Sequence, residues 1–150
     1  MRHHPRTAVT VVALASLGVL TVPTAIATGE PTEDPAATPV ITVLTERPAL
    51  PGQTTFTDNP AIVDPRPQSI EAWNRLPESN ALAVQFSSGT PTCYGVDAEV
   101  QETADIIAVK LRTGTLPEAV NRPCIMLAVF GTLTVELNSP VGHRAVVSIT

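Results

Sequence analysis

The sequence predicts an all-β domain, a small antiparallel β-sandwich or open barrel of six to seven strands with one short helix. Three observations carry this expectation. From residue 81 onward, apolar and polar side chains alternate with period two, the repeat of a strand with one wet face. Turn-forming residues separate the alternating runs at hairpin-like spacing. Two cysteines, Cys93 and Cys124, supply a covalent staple for a core that must be aliphatic, because aromatics make up only 3% of the chain.

Taken in order, the chain opens with a short positive region, Met1-Arg2-His3-His4-Pro5-Arg6, followed by an uncharged apolar run. Pro23 breaks that run, and Ala25-Ile26-Ala27 forms the small-x-small pattern of a signal-peptidase site. Residues 1–27 therefore read as a secretory signal cleaved after Ala27. The competing reading is an uncleaved anchor, because residues 7–29 carry no charge over a length that spans a bilayer. Residues 28–39 are acidic and rich in Pro and Thr, with almost nothing to bury, and are expected to be a disordered leader. Residues 40–150 form the domain.

Removing 27 of 150 residues leaves 123, enough for one modest core. Arg2 and Arg6 leave with the signal, so Lys+Arg falls from 9 to 7 against 14 acidic residues, a net charge of −7. That balance favours solubility and opposes binding to phosphate backbones. No nucleic-acid partner is expected, since no basic stripe with interleaved aromatics occurs. The membrane is met only through the signal segment before cleavage.

Residues 40–44 are the first strand candidate. Pro48, Pro51, Gly52, Asn59, Pro60, Pro65 and Pro67 then punctuate a long irregular stretch, within which Pro60-Ala61-Ile62-Val63 pairs briefly at an edge. Ser69 is placed to cap a short helix, with Glu71 in its first turn, Ile70 and Trp73 on one face, and Pro77 ending it after Leu76. A strand is expected over 81–86, and a loop over 87–91. Residues 93–101 place Tyr94, Val96, Ala98 and Val100 on one face and Gly95, Asp97, Glu99 and Gln101 on the other. After a turn at 102–105, residues 106–112 turn Ile107, Val109 and Leu111 inward and Lys110 and Arg112 outward, which makes an antiparallel hairpin.

Residues 113–123 read as a loop. Residues 124–130 are apolar on both faces, as in a strand buried between layers, and Gly131 interrupts them as a bulge or bend. Residues 132–137 alternate again, with Leu133, Val135 and Leu137 inward. A turn at 138–142 leads to the last strand, 144–149, which carries Ala145, Val147 and Ile149 on one face.

Two cysteines in a small exported domain most often pair. A bond between Cys93 and Cys124 would close a loop of about 30 residues. A metal or thiol role is disfavoured by the absence of a Cys-x-x-Cys pair and by the single histidine, His143, beyond the signal.

The succession of Trp73, Leu82-Ala83-Val84-Gln85-Phe86-Ser87-Ser88-Gly89, Cys93-Tyr94, Glu102-Thr103, Val109-Lys110-Leu111-Arg112-Thr113-Gly114, Cys124 and Pro140-Val141-Gly142-His143-Arg144 resembles a group of small exported proteins from Gram-positive bacteria with high-GC genomes. The resemblance covers roughly residues 66–147. It implies an exported, cysteine-paired β-domain and no mechanism, because the group has no assigned activity. Members often carry an acidic residue where His143 stands, which weakens any shared role for that histidine.

The usual catalytic constellations are missing. No serine lies in a Gly-x-Ser-x-Gly elbow near His143. Asp97 and Glu99 share a strand face at about 7 Å, a spacing open to acid/base work or a weak calcium site but also that of any solvated strand face. Lys110 is the chain's only lysine, and no Gly-rich loop precedes a helix, so neither a nucleotide nor any other cofactor is implied. Trp73 is either a stacking ring or the plug of a small core, Tyr94 is expected to pack on the disulfide, and Arg144 either pairs with a carboxylate or is solvated. The reading that results is an exported protein of unknown biochemical activity, not an enzyme, that serves as a binding or structural module of the cell envelope or medium, with a protein or envelope component as the candidate ligand. One alternative is a secreted protease inhibitor with its bait in residues 88–93 or 113–124. Another is a membrane-anchored accessory protein if the signal is retained.

Overall fold

The computed structural model describes residues 38–77 and 80–150. The expected signal, with Ala25 and Ala27, and residues 28–37 of the expected leader lie outside the described residues. Among those described, nine strands form two sheets. They are β1 (Ile41–Val43), β2 (Thr54–Phe56), β3 (Val63–Gln68), β4 (Ala72–Arg75), β5 (Ala81–Ser88), β6 (Tyr94–Glu102), β7 (Ile106–Thr115), β8 (Val129–Glu136) and β9 (Ala145–Ile149).

The first sheet is built on β7. Its alternation of Ile107, Val109 and Leu111, each fully buried, fixes which face meets the core. Along one edge β7 pairs antiparallel with β6 from Glu102↔Ile107 to Tyr94↔Thr115, the expected hairpin. Along the other edge, β9 runs parallel to its first half and β3 antiparallel to its second half. β1 adds antiparallel to β9. The second sheet has the order β2-β8-β5-β4, with β2 parallel to β8 and the other pairs antiparallel. The architecture is thus sandwich-like and all-β, but it has more strands than expected and two parallel pairs.

Leu82, Val84 and Phe86 from β5 and Leu133 and Val135 from β8 meet Val96, Ile107, Val109, Leu111 and Val146 from the other sheet in one core. The edges of the two sheets are also stitched together. The Leu44 N–H donates to the Val146 carbonyl in the first sheet (2.9 Å); the next residues flank β4, where the Arg47 N–H donates to the Trp73 carbonyl (2.8 Å). On the opposite side, after β2, the Asn59 N–H donates to the Val96 carbonyl (2.8 Å) and the Ala98 N–H to Asp58 Oδ1 (2.8 Å). Crossing segments of this kind cover sheet edges that would otherwise template aggregation.

Several expectations are corrected. The helix near Ser69 is strand β4 instead: a segment this short between prolines does not sustain a helix, while pairing Trp73 with Val84 buries Ala72 and Trp73. The only helical turn among the described residues is a 3-10 turn at Pro117–Ala119. Residues 54–56 and 63–68, expected to be irregular apart from a brief pairing at 60–63, are β2 and β3. β3 carries Pro65 and Pro67 as an edge strand, with a register shift and a positive φ (52°) at Asp64. The strand at 81–86 continues to Ser88, and β7 continues to Thr115. On β9, Ala145, Val147 and Ile149 share one face as expected, but it is Val146 on the other face that enters the main core, while Val147 is buried outside that cluster.

The largest correction concerns residues 124–130, expected to be buried. β8 starts only at Val129, whose partner Ser88 is the last residue of β5; no strand among the described residues pairs with residues 125–128, and they stay irregular. Ile125, Met126, Leu127 and Phe130 are exposed. Gly131 is neither bulge nor bend. It pairs in register with Phe86, and a Cβ there would fall 2.7 Å from Phe86 Cε2 and 2.8 Å from Phe56 Cε2. Glycine lets the two rings pack, with centroids 5.3 Å apart.

Candidate functional site

Cys93 and Cys124 are bonded, with Cα atoms 6.1 Å apart and a sequence separation of 31. Cys93 is buried at the entrance to β6, whereas Cys124 sits in the irregular segment rather than at a strand start. Bonds of this kind persist in oxidising compartments. Among the described residues no helix is long and apolar enough to cross a membrane.

The disulfide holds one end of residues 124–128, and the β8–β5 ladder holds the other at Val129. Between these pins, Ile125 is 66% exposed and Met126 98%. No hydrogen bond among the described residues engages residues 125–128, so their backbone donors and acceptors face solvent unpaired. Met126, Leu127 and Ala128 wall a groove of about 340 Å³ whose other side is Ser87, Ser88, Gly89 and Tyr94. The Tyr94 ring lies against Gly89 so closely that a Cβ at that position would fall within the ring. Ser87 is fixed by donating to Glu71 Oε1 (2.6 Å). The site is therefore a tethered, exposed apolar segment beside a groove.

The chain matches no known family, no curated protein and no solved structure.

The residues singled out from the sequence fall elsewhere. Asp97 and Glu99 do share the outer face of β6, and both are bound by Arg112 of β7. Arg112 donates through Nε to Asp97 Oδ2 (2.9 Å) and through Nη2 to Glu99 Oε1 (2.6 Å), and Lys110 stands 4.0 Å from Glu99. Asp97, followed by Glu99, holds the guanidinium above its ordinary range, while burial acts the other way. The pair thus clasps the hairpin by charge. No group of three or more potential ligands gathers to hold a metal among the described residues.

Arg144 is paired rather than solvated. Nη1 donates to Glu102 Oε2 (2.6 Å), and Nη2 donates to the carbonyls of Ser139 and Pro140 (both 2.7 Å). Glu102 also accepts from the Asn138 N–H (2.7 Å). Its carboxyl is held below the usual range, first by the Arg144 hydrogen bond and next by the Asn138 amide. Both side chains are about nine-tenths buried, and together they lock the turn at 138–142 onto the end of β6. His143 is exposed on that turn and makes no hydrogen bond or ion pair among the described residues. Trp73 is buried in the core, with Arg75 over its ring at 5.4 Å, so it is a plug and not a stacking platform for a ligand.

The sequence missed the segment that the structure exposes. An unbroken apolar run reads as buried whether or not a neighbouring strand exists to bury it. The two loops expected as bait are internally tied. In residues 88–93 the Cys93 N–H donates to the Thr90 carbonyl (3.0 Å); in 113–124 the Ala119 N–H donates to the Leu116 carbonyl (2.8 Å) and the Arg122 N–H to Ala119 (3.1 Å).

Proposed function

We propose that the protein is an exported binding module of the cell envelope or medium and that residues 124–130 are its contact element. The observation that carries this reading is the exposure of Ile125, Met126 and Leu127 on a segment pinned at both ends, with exposed Phe130 beside it on β8. Apolar groups gathered in this way mark interaction sites, and loops held by a rigid scaffold are where recognition concentrates. The pins reduce the ordering cost that a free loop would meet on binding. A second apolar surface, formed by Ile41 and Val43 of β1 with Ile106, lacks this feature because its backbone is already laddered.

The test is capture of envelope and culture-medium proteins on the immobilised protein, compared with a variant carrying Ile125→Ser, Met126→Ser and Leu127→Ser. A control variant carries Val43→Ser. The expected result is a partner retained by the wild type and the control and lost by the triple variant. A partner retained by the triple variant removes the segment from the contact.

A further inference from the structure

We infer that the contact element is a substrate-like inhibitory segment for a serine endopeptidase with a deep apolar primary pocket, Met126 filling that pocket and Met126–Leu127 being the reactive bond. The inference rests on the preceding reading that residues 124–130 make the contact.

Endopeptidase clefts bind a peptide as an extended strand: backbone groups of the cleft pair with those of the peptide, and pockets take alternate side chains. A folded protein can enter such a cleft only where its backbone is unpaired and its side chains project. Residues 125–128 meet both conditions; the hydrogen-bonded loops at 88–93 and 113–124 do not. Within the segment Met126 projects furthest, at 98% exposure, and its unbranched apolar side chain adapts to a deep pocket. It carries no charge, so a primary pocket built on a buried carboxylate is a poor match.

An inhibitor differs from a substrate in what happens after attack. The protease serine Oγ adds to the Met126 carbonyl carbon, and its proton passes to the protease histidine. The bond from that carbon to the Leu127 nitrogen breaks, and the nitrogen takes the proton, leaving an acyl-enzyme and a free Leu127 amine. A substrate's amine then diffuses away, and water completes hydrolysis. Here the new ends are held close on both sides. Cys124, two residues before Met126, is bonded to Cys93. Val129, two residues after Leu127, is laddered to Ser88. The piece beyond the cut carries β8, between β2 and β5, and β9, between β7 and β1, so it departs only if both sheets come apart. The tethered amine re-attacks the ester carbonyl, returns its proton through the histidine to the serine and restores the peptide bond. Reactants held in this way behave as though at very high local concentration.

The experiment titrates the purified, disulfide-intact protein against chymotrypsin and subtilisin, whose primary pockets are apolar, and against trypsin, whose pocket is acidic. Residual activity is read on chromogenic peptides and cleavage by mass spectrometry. The expected result is stoichiometric inhibition of at least one apolar-pocket enzyme, slow and incomplete cleavage confined to Met126–Leu127, and no inhibition of trypsin. Met126→Asp is expected to weaken inhibition by about 100-fold or more, and Met126→Arg to transfer it to trypsin. Both substitutions lie in solvent, and matching circular dichroism spectra confirm that the variants are folded. Failure to inhibit either apolar-pocket enzyme, or rapid complete cleavage at that bond, overturns the inference. The capture experiment then separates the two readings: a partner lost by the triple serine variant keeps the contact element and discards the protease, whereas a partner indifferent to it discards both.

Discussion

Replacing both cysteines, as Cys93→Ala with Cys124→Ala, removes the bond without leaving a reactive thiol. The bridge spans 31 positions. In the chain-entropy description, a closed loop of that length restricts the unfolded ensemble by about 12 cal/mol/K, or about 3.7 kcal/mol at 25 °C. Globular domains gain about 2.1 cal/mol/K per residue on unfolding, so for a domain of about 110 residues this corresponds to a fall in Tm of about 15 °C. With a urea m-value of about 1.5 kcal/mol/M, the midpoint is expected to drop by about 2.5 M. The sheets should survive, because their edges are joined by hydrogen bonds from residues 44–47 and 58–59 that do not involve sulfur. The assay is urea unfolding followed by circular dichroism, comparing the oxidised wild type with the double variant at equal protein concentration. A loss below about 1 kcal/mol would refute the reasoning, because it would mean that the unfolded chain is already constrained over this loop.

Gly131→Ala is expected to cost about 1–3 kcal/mol in the same assay, because the new methyl group forces the Phe56 and Phe86 rings apart. Glu102 gives a pH dependence of defined sign. Its folded-state pKa is lowered from 4.5, so its contribution is complete above that value and disappears as the pH falls through the lower, folded value. Glu102→Gln should therefore flatten the acid limb of the stability profile measured by urea unfolding between about pH 6 and 3. Ser148 is buried on β9 and its Oγ has no hydrogen-bond partner among the described residues, so Ser148→Ala is expected to raise stability by about 1 kcal/mol, read from the urea midpoint.

The period-two pattern located what it governs. The hairpin of β6 and β7 has the expected inward set of Val96, Ile107, Val109 and Leu111, and β8 has the expected Leu133 and Val135. In such strands each alternate side chain must meet a core, so sequence and burial cannot easily part. Short elements escaped this logic. β2 is three residues long and owes its existence to β8, far away in sequence, whereas β4 is only four residues long and is held as a strand by pairing with the next strand, β5. Gln85 is another non-local case: it sits in an apolar strand yet is buried, donating to Asn74 Oδ1 (3.1 Å) and the Arg47 carbonyl (3.2 Å), which hold the crossing segment down. Nothing in its sequence neighbourhood signals those partners. The candidate site was half legible. Its covalent pin was readable from two cysteines, but its exposure depends on β5 ending at Ser88, and only tertiary pairing decides that. For the same reason, the apolar residues 125–128 read as core and lie outside it.

The account depends on Met126 standing in solvent at the crest of a pinned segment. It is the only methionine after position 1, so a single tryptic peptide reports on it. The folded protein is treated with dilute hydrogen peroxide, and sulfoxide formation at Met126 is timed by mass spectrometry against an unstructured peptide of the same local sequence. The expected rate lies within about twofold of the free peptide. Protection of about tenfold or more, the behaviour of a methionine packed between sheets, would contradict the account.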